Sequence, residues 1–143
     1  MKISIGSDHG GYELKEQIKS YLEKNHDVKD HGTFSKESVD FPSFAKAVSI
    51  SVSRGDCDRG VLICRNGIGM SIAANRLRGV RAVTCYNSDT AKSSRFHDET
   101  NVLCLGADFT DEEKSLEIIE AWLKQDFDDN EHRIRRLKKM DEW

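Results

Sequence analysis

The residue best suited to chemistry is Cys64, the last residue of the apolar run Gly60–Cys64, which precedes a turn containing Gly67 and Gly69. The run predicts a buried strand, and the apolar, alanine-rich segment after the turn predicts a helix. The first amides of a helix have no internal partners and lie at the positive end of the helix dipole, so this arrangement favours anions. A thiol beside such a helix start is stabilised as the thiolate. An inert packing thiol and a tight turn without a ligand remain open as alternatives.

The glycine turn does not match three other anion-binding motifs. A dinucleotide fingerprint requires a third glycine where this chain has Ile72, and a P-loop requires a Gly-Lys-Ser/Thr sequence that is absent. A phosphatase thiolate loop requires an arginine six residues after the cysteine, where this chain has Met70. If the turn binds an anion, it therefore belongs to another class of site.

Further polar residues could take part in proton transfer or anion binding. Asp8 and His9 stand in a polar glycine turn after the first predicted strand. They have no obvious packing role there, although a capping aspartate beside a solvated histidine would also explain them. His97 lies in a polar stretch between a predicted helix and a strand, and taken alone it is more often an exposed histidine than a catalytic one. Arg133, Arg135 and Arg136 belong to a strongly charged last helix, which is either a solvated face or an anion-binding face.

Hydrophobic periodicity predicts five strands alternating with helices in one domain that spans residues 1–143. The predicted strands are Lys2–Gly6, Val28–His31, Gly60–Cys64, Val80–Cys85 and Asn101–Leu105. The predicted helices are Tyr12–Lys24, Pro42–Ser53, the alanine-rich segment ending at Gly79, a short helix capped by Ser88 or Asp89 and continuing through Phe96, one opened by a capping box at Thr110–Glu113, and Glu131–Met140. This order predicts an α/β, Rossmann-like three-layer sandwich, with a five-stranded parallel sheet, helices on both faces and a C-terminal helix. We expect the loops after the first, third and fourth strands to line one crevice.

The composition excludes several other classes of protein. The net charge of −3 gives no general reason to expect nucleic-acid binding. No apolar run is long enough to span a membrane, and the N-terminus lacks the basic-then-apolar pattern of a signal peptide. Four cysteines lack Cys-x-x-Cys spacing and five histidines lack paired ligand spacing. We therefore predict reduced thiols in a cytoplasmic protein, with no metal and no cofactor.

Several segments together resemble the family of ribose-5-phosphate isomerase B and galactose-6-phosphate isomerase. They are Ser7–Lys15, Asp30–Thr33, Val39–Pro42, Gly67–Asn75, Gly79–Ala82, Arg95–His97 and Thr100–Leu103. The matching segments are ordered and spaced as in the family over nearly the whole chain. The resemblance implies a metal-free aldose–ketose isomerase of sugar phosphates. It also implies a Rossmann-like homodimer, sometimes paired further into a tetramer, with its active sites at the subunit interface.

The resemblance also implies roles for individual residues. Cys64 stands where the ribose enzymes carry the cysteine that removes the C2 proton of the sugar. Members with a glutamate base carry it at the position of Met70, which cannot titrate. His97 matches the histidine that moves the ring proton, with Asp8 as a helper. The implied substrate contacts are His9 at the phosphate or a hydroxyl, the turn residues Asn66, Gly67, Ile68 and Gly69 at the developing oxyanion, and Ser71, Asp98, Arg135 and Arg136.

The chain departs from the family pattern at several of these positions. Arg65 and Asn66 replace the usual glycine and threonine after the cysteine, which removes a hydroxyl proposed as a ring-opening partner. Asp98 replaces an asparagine, and Asp108 replaces an arginine expected two residues beyond Gly106. Each change alters the charge or the hydrogen bonds offered to a substrate.

Two other departures affect the same functions. Phe41 replaces a tyrosine, and one of two C-terminal arginines falls on Glu131 or His132, depending on the alignment register. In one hypothesis, Arg65 supplies the missing positive charge and the substrate remains ribose 5-phosphate or a close relative. In the other, the pocket has been reshaped for another substrate, such as a six-carbon sugar phosphate or a free sugar.

Two interpretations other than an isomerase remain. The chain could be a non-catalytic sugar-phosphate-binding domain on this scaffold, since a fold does not fix a function. The presence of Cys64, Asp8 and His97 favours an enzyme, because binding alone requires no proton-transfer groups. Thiol redox chemistry is a weaker alternative, since no second cysteine lies nearby in the sequence, although Cys85 or Cys104 could approach Cys64 in space.

Overall fold

The computed structural model describes all 143 residues, which form five strands and six helices. The strands are β1 (Lys2–Ser7), β2 (Asp27–Asp30), β3 (Arg59–Cys64), β4 (Ala82–Thr84) and β5 (Val102–Gly106). The helices are α1 (Tyr12–Leu22), α2 (Phe41–Ser53), α3 (Ile68–Ala74), α4 (Ser88–Asp98), α5 (Glu112–Lys124) and α6 (Glu131–Asp141). None of the six helices combines the length and the apolar character that crossing a membrane requires.

The five strands form one parallel sheet in the order β2-β1-β3-β5-β4. Helices α2 and α3 pack together on one face, whereas α1, α4 and α5 pack on the other. The predicted Rossmann-like three-layer sandwich is therefore confirmed. Because all strands run in one direction, every loop that follows a strand lies at the same edge of the sheet.

The central strand β3 supplies side chains to both helical layers in alternation. Val61 and Ile63 enter the core beneath α1 and α5, where Trp122 is completely buried. Leu62 and Cys64 enter the smaller core beneath α2 and α3. Successive side chains of a strand point to opposite faces, so the position of Cys64 in the strand fixes which layer its sulfur faces.

The segment between α3 and β4 differs from its predicted form. The helix ends at Ala74 and not at Gly79, and the strand is shorter than the predicted Val80–Cys85. The side chain of Asn75 explains the early end, because its amide donates to the carbonyl of Ala82 and its oxygen accepts from the Ala82 amide, both at 2.8 Å. A side chain that pairs with a strand in this way connects the end of α3 directly to β4.

Two helix caps also differ from prediction. Helix α4 is capped by Asn87, one residue before the predicted start, and helix α5 by Asp111, whose carboxylate accepts from the amide three residues later. The capping box predicted Thr110 as the cap of this helix. The hydroxyl of Thr110 instead donates a hydrogen bond to the carbonyl of Gly106 at 3.1 Å. Aspartate and threonine are both good caps, and the existing hydrogen bond of the threonine decides between them.

Candidate functional site

Loops from four strands meet at the carboxyl edge of the sheet around the end of β3. The amide of Asp8, after β1, donates to the carbonyl of Ile63 at 3.3 Å, and the amide of Ala107, after β5, donates to the carbonyl of Cys64 at 2.9 Å. The hydroxyl of Tyr86, after β4, donates to a carbonyl of the turn after β3 at 2.8 Å. The expected crevice is present, and the loop after β5 belongs to it as well.

Cys64 has an apolar side and a polar side. The residue is 6% exposed and packs against the core beneath α2 and α3. On the polar side, the Gly67 amide donates to Sγ over 3.1 Å, and the thiol donates to Oδ1 of Asn66 over 3.8 Å. The turn therefore offers the sulfur both a hydrogen-bond donor and an acceptor for its proton.

The other three cysteines lie where a thiolate is disfavoured. Burial raises the pKa of Cys57 and of Cys85 above the ordinary thiol value. Burial also raises the pKa of Cys104, and the neighbouring thiols of Cys64 and Cys85 raise it further. In all three, loss of solvation is the largest effect, and the lysines near Cys57 and the hydroxyls near Cys85 do not offset it. Cys64 is thus the thiol with a setting suited to base chemistry.

Gly67 gives the turn its shape. Its φ of 77° lies in the left-handed region, which strains residues that carry a Cβ. A Cβ added here would lie 3.0 Å from a backbone carbon of Leu105 and 3.0 Å from the methyl carbon of Thr84. Both the backbone conformation and the close approach of β5 therefore require glycine, and this conformation directs its amide toward the sulfur.

The amides at the start of α3 are not equally available to a ligand. Gly67 donates to the sulfur, and Ile68 donates to Oδ1 of Asn66 at 2.9 Å. The amides of Gly69 and Met70 donate to no protein acceptor, as is usual in the first turn of a helix. In the substrate-free turn, the amides of Gly67 and Ile68 are therefore already engaged, whereas the amide of Gly69 is free to donate to a ligand.

Asp8 and His9 differ in how far their side chains are engaged by backbone groups. Asp8 is buried, and its Oδ1 accepts the amide of Gly11 at 3.0 Å, so this oxygen closes the turn before α1. His9 is half-buried, and its Nδ1 lies 3.2 Å from the amide nitrogen and 3.3 Å from the carbonyl oxygen of Val39. These backbone groups engage Nδ1, so Nε2 remains available to a ligand in the adjacent groove.

A wide groove of about 1040 Å³ opens beside the turn, and Cys64 is not among its lining residues. Its basic side chains are His9, Lys36 and Arg65. The stem of Arg65 crosses Gly10, where a Cβ would lie 2.7 Å from Arg65 Cγ. The guanidinium is exposed and lies 3.6 Å from the carboxylate of Asp108. An exposed pair at this distance contributes little to stability, so Arg65 retains the ability to bind an anion.

Phe41 and Ser71 contact the elements around the turn. Phe41 packs against Gly69, where a Cβ would lie 2.9 Å from the ring, so its missing hydroxyl is a change within the site. Ser71, predicted as a substrate contact, donates to the carbonyl of Ala82 at 3.2 Å. This hydrogen bond gives Ser71 a structural role in joining α3 to β4.

His97 does not lie in the crevice of its own chain. Helix α4 begins after β4 at the carboxyl edge, and its 11 residues, about 16 Å long, carry the chain to the amino edge. There, the carbonyl of Glu99 accepts from Arg81, which precedes β4. His97 and the exposed Asp98 are therefore at the opposite edge of the sheet from Cys64.

The residue beside His97 is Arg133, which was grouped with the other arginines of the last helix but was not among the expected substrate contacts. Its guanidinium Nη2 lies 2.7 Å from His97 Nδ1, whereas the predicted Arg135 and Arg136 are exposed and form no ion pair. Helical spacing was the available signal, because Arg133 is four residues before Leu137, the buried residue of α6. No group of three or more histidine, cysteine or acidic side chains is arranged to hold a metal ion.

The fold and this site define a doubly wound α/β domain whose ligand-binding edge carries a thiol, a glycine turn and a short helix start. The chain belongs to the Ribose/Galactose Isomerase family, whose sequence model matches residues 3–140. It is 42% identical to ribose-5-phosphate isomerase B of Escherichia coli over 135 residues, which cover 94% of this chain and 91% of that protein. The resemblance inferred from the motifs is confirmed.

Solved structures agree in fold over nearly the full length. Ribose-5-phosphate isomerase B of Clostridium thermocellum superposes with a TM-score of 0.96 at 45% identity, covering 99% of this chain and 96% of that chain. The Mycoplasma genitalium enzyme, solved with bound ribulose-5-phosphate, gives a TM-score of 0.92 at 36% identity, covering 99% and 94% of the two chains.

Proposed function

We propose that the protein is an aldose–ketose isomerase that interconverts ribose 5-phosphate and ribulose 5-phosphate. The main structural support is the position of Cys64 at the carboxyl edge of the sheet, where its sulfur accepts a hydrogen bond from the Gly67 amide. Family membership supports the reaction type, and the E. coli and C. thermocellum relatives are named for ribose 5-phosphate. The bound ribulose 5-phosphate named for the M. genitalium structure supports the same substrate pair.

The reaction begins with opening of the cyclic sugar phosphate, in which the bond between C1 and the ring oxygen breaks, the C1 hydroxyl loses its proton and the ring oxygen gains one. His97 assists at the ring oxygen, with Asp8 as a helper. The thiolate of Cys64 then removes the C2 proton. The electrons of the C–H bond form the C1–C2 double bond, and the carbonyl oxygen at C1 gains negative charge. The free amide of Gly69 is suited to stabilise this cis-enediolate. Return of the proton from the thiol to C1, with transfer of the O2 proton to O1, gives the ketose.

A homodimer with shared active sites accounts for the separation of Cys64 and His97. In a two-fold dimer, the partner's His97 can approach Cys64, and the reverse contact completes the second site. Ile68 and Ile72, one helical turn apart on α3 beside the catalytic turn, are 49% and 65% exposed. Such an apolar patch fits a subunit contact. We expect Ile72→Glu to shift the protein from dimers toward monomers in analytical ultracentrifugation. If the protein forms a tetramer, it consists of two such dimers.

Arg65 is proposed to bind the substrate phosphate, with His9 at the phosphate or a sugar hydroxyl. Both line the groove beside the catalytic turn, and a guanidinium fork matches phosphate oxygens. Arg65→Gly is expected to raise KM for ribose 5-phosphate about tenfold, which corresponds to the loss of one charge-assisted hydrogen bond. Arg54→Gly, at an exposed position after α2, is the control. An unchanged KM for Arg65→Gly would exclude this role.

The decisive test is an isomerase assay on wild type, Cys64→Ala and the control Cys57→Ala. We expect Cys64→Ala to lose about 10²-fold or more in kcat, the usual contribution of a general base, and Cys57→Ala to retain activity. Equal rates for Cys64→Ala and wild type would contradict the base assignment. Binding of ribose 5-phosphate by calorimetry without turnover would indicate a binding domain instead. The four unpaired cysteines support placing this reaction in the cytoplasm.

A second candidate is isomerisation of another sugar, such as a six-carbon sugar phosphate. The departures at Asn66 and Asp108 favour it, because both lie at the carboxyl edge where the sugar would bind. A kinetic panel of aldose and ketose phosphates and free sugars distinguishes the two. A clear preference for ribose 5-phosphate would exclude the second candidate.

A further inference from the structure

The side chain of Arg133 is enclosed by groups from the end of α4 and the start of α6. It is 15% exposed, and its guanidinium pairs with the carboxylate of Asp128. The guanidinium carbon lies 4.6 Å from the centroid of the Phe96 ring. On its remaining side, Nη2 lies 2.7 Å from Nδ1 of His97. Three contacts of different kinds therefore fix the plane and position of this guanidinium.

The groups that hold Arg133 are themselves held in place. The Asp128 amide donates to the carbonyl of Phe96 at 3.1 Å, which fastens the segment before α6 to the last turn of α4. The side-chain amide of Asn130 donates to Asp128 at 2.8 Å. Its oxygen accepts the Arg133 amide at 3.1 Å and caps α6. The contact with His97 is consequently part of a connected hydrogen-bond network.

This contact determines which nitrogen of His97 carries the ring proton. A guanidinium has only N–H donors, so Nδ1 must accept its hydrogen bond. In a neutral imidazole, the proton then resides on Nε2. Since the ring is exposed, Nε2–H is the atom that His97 can offer to another molecule.

We propose that Arg133 is a positioning residue that holds His97 as the Nε2–H tautomer, so that His97 acts as a hydrogen-bond donor to the ring oxygen of the sugar. This inference rests on the proposed isomerase function and refines it. The ring oxygen gains negative charge as its bond to C1 breaks, and a fixed N–H group aimed at it stabilises that charge. His97 cannot act as a base through Nδ1 unless Arg133 first moves away.

The first test is independent of activity. Nitrogen-15 NMR at pH 8.5, at which an ordinary imidazole is neutral, reports the tautomer of His97 in the substrate-free protein, with the His97→Ala variant used for assignment. We expect a single Nε2–H tautomer in wild type and in Lys139→Met, which removes one charge from an exposed position of α6. Arg133→Met should move both ring signals toward the mixture of tautomers of an unconstrained imidazole. A proton on Nδ1 in wild type, or no change in Arg133→Met, would overturn the proposal.

The second test is kinetic and separates positioning from direct phosphate binding. We expect Arg133→Met to lower kcat about tenfold with little change in KM, and the double variant with His97→Ala to be no slower than His97→Ala alone. A raised KM at unchanged kcat, or fully additive losses, would show that Arg133 does not act through His97. If wild type has no isomerase activity, the proposed function fails, whereas the NMR experiment still decides the tautomer.

Discussion

Mixed dimers of two inactive variants test whether each active site draws on both subunits. In the proposed mechanism, Cys64→Ala removes the base and His97→Ala removes the ring-opening group, so a homodimer of either variant would have two defective sites. Within one chain, Cys64 ends β3 at the carboxyl edge, whereas His97 ends α4 at the amino edge. A mixed dimer therefore combines one doubly defective site with one intact site if the partner's His97 serves each Cys64.

The expected rate follows from this geometry. Random pairing of equal amounts gives about half mixed dimers, and one site in two is intact in each, so the mixture should recover about a quarter of the wild-type rate. Mixed dimers purified through two different affinity tags should recover about half. The variants are co-expressed or refolded together, and the rate per subunit is measured with ribose 5-phosphate.

A control pair carries both defects at one position. Co-expression of Cys64→Ala with Cys64→Ser should restore nothing, because every site then lacks its thiol. If mixtures of Cys64→Ala and His97→Ala also stay at the rate of their parents while the tagged dimer forms, the two residues do not cooperate across an interface. The proposed arrangement of the site would then be wrong.

Two stability predictions follow from the turn after β3 and from a buried lysine. Gly67→Ala should lower the free energy of unfolding more than the control Gly55→Ala, which should lower it by about 1 kcal/mol. Both glycines have a positive φ, but only a Cβ at position 67 would lie close to other atoms. Equal losses in urea unfolding would show that the contact with β5 adds nothing. Lys15→Met should cost about 3 kcal/mol, against almost none for the exposed Lys46→Met, because fully buried Lys15 lies 2.7 Å from the carboxylate of Asp30. Burial raises the pKa of Asp30, but hydrogen bonds from Lys15, a backbone amide and a second lysine lower it overall below the ordinary value of 3.8. The ionised carboxylate therefore stabilises the fold fully above about pH 5, and this stabilisation is lost as the pH falls below about 4. Acid unfolding of Lys15→Met should accordingly begin at higher pH than that of the wild type.

The fold could be predicted because its elements are locally encoded. The apolar run of β3 is continuous, since the strand is buried on both faces, and Pro42 lies at the first turn of α2 as its fixed φ favours. The end of α3 could not be predicted from local signals. It depends on Asn75 pairing with Ala82, a contact that exists only once α3 and β4 lie side by side.

The candidate site was predictable in part for the same reason. Cys64 and its turn follow one another in the chain, so their geometry is local. The position of His97 could have been inferred from topology, because a residue at the end of a helix that follows a parallel strand must lie at the amino edge. The contact of Arg133 with His97 was not foreseen, because the partners of Arg133, Asp128 and His97, come from different segments. Only the packing of α6 against α4 brings them together.

The order of the parallel strands also explains how two different sequence positions can supply a guanidinium to the same groove. The family resemblance expects an arginine two residues beyond Gly106, where this chain has Asp108, and it expects glycine where this chain has Arg65. Strands β3 and β5 are neighbours, and the amide of Asp108 donates to the carbonyl of Arg65 at 2.9 Å. A guanidinium from either loop can therefore enter the same groove. The stem of Arg65 fits because Gly10 has no Cβ, and the carboxylate of Asp108 lies near its guanidinium. The two departures are thus best understood together, because the adjacent loop supplies the guanidinium and the position of the expected arginine now holds the carboxylate that pairs with it.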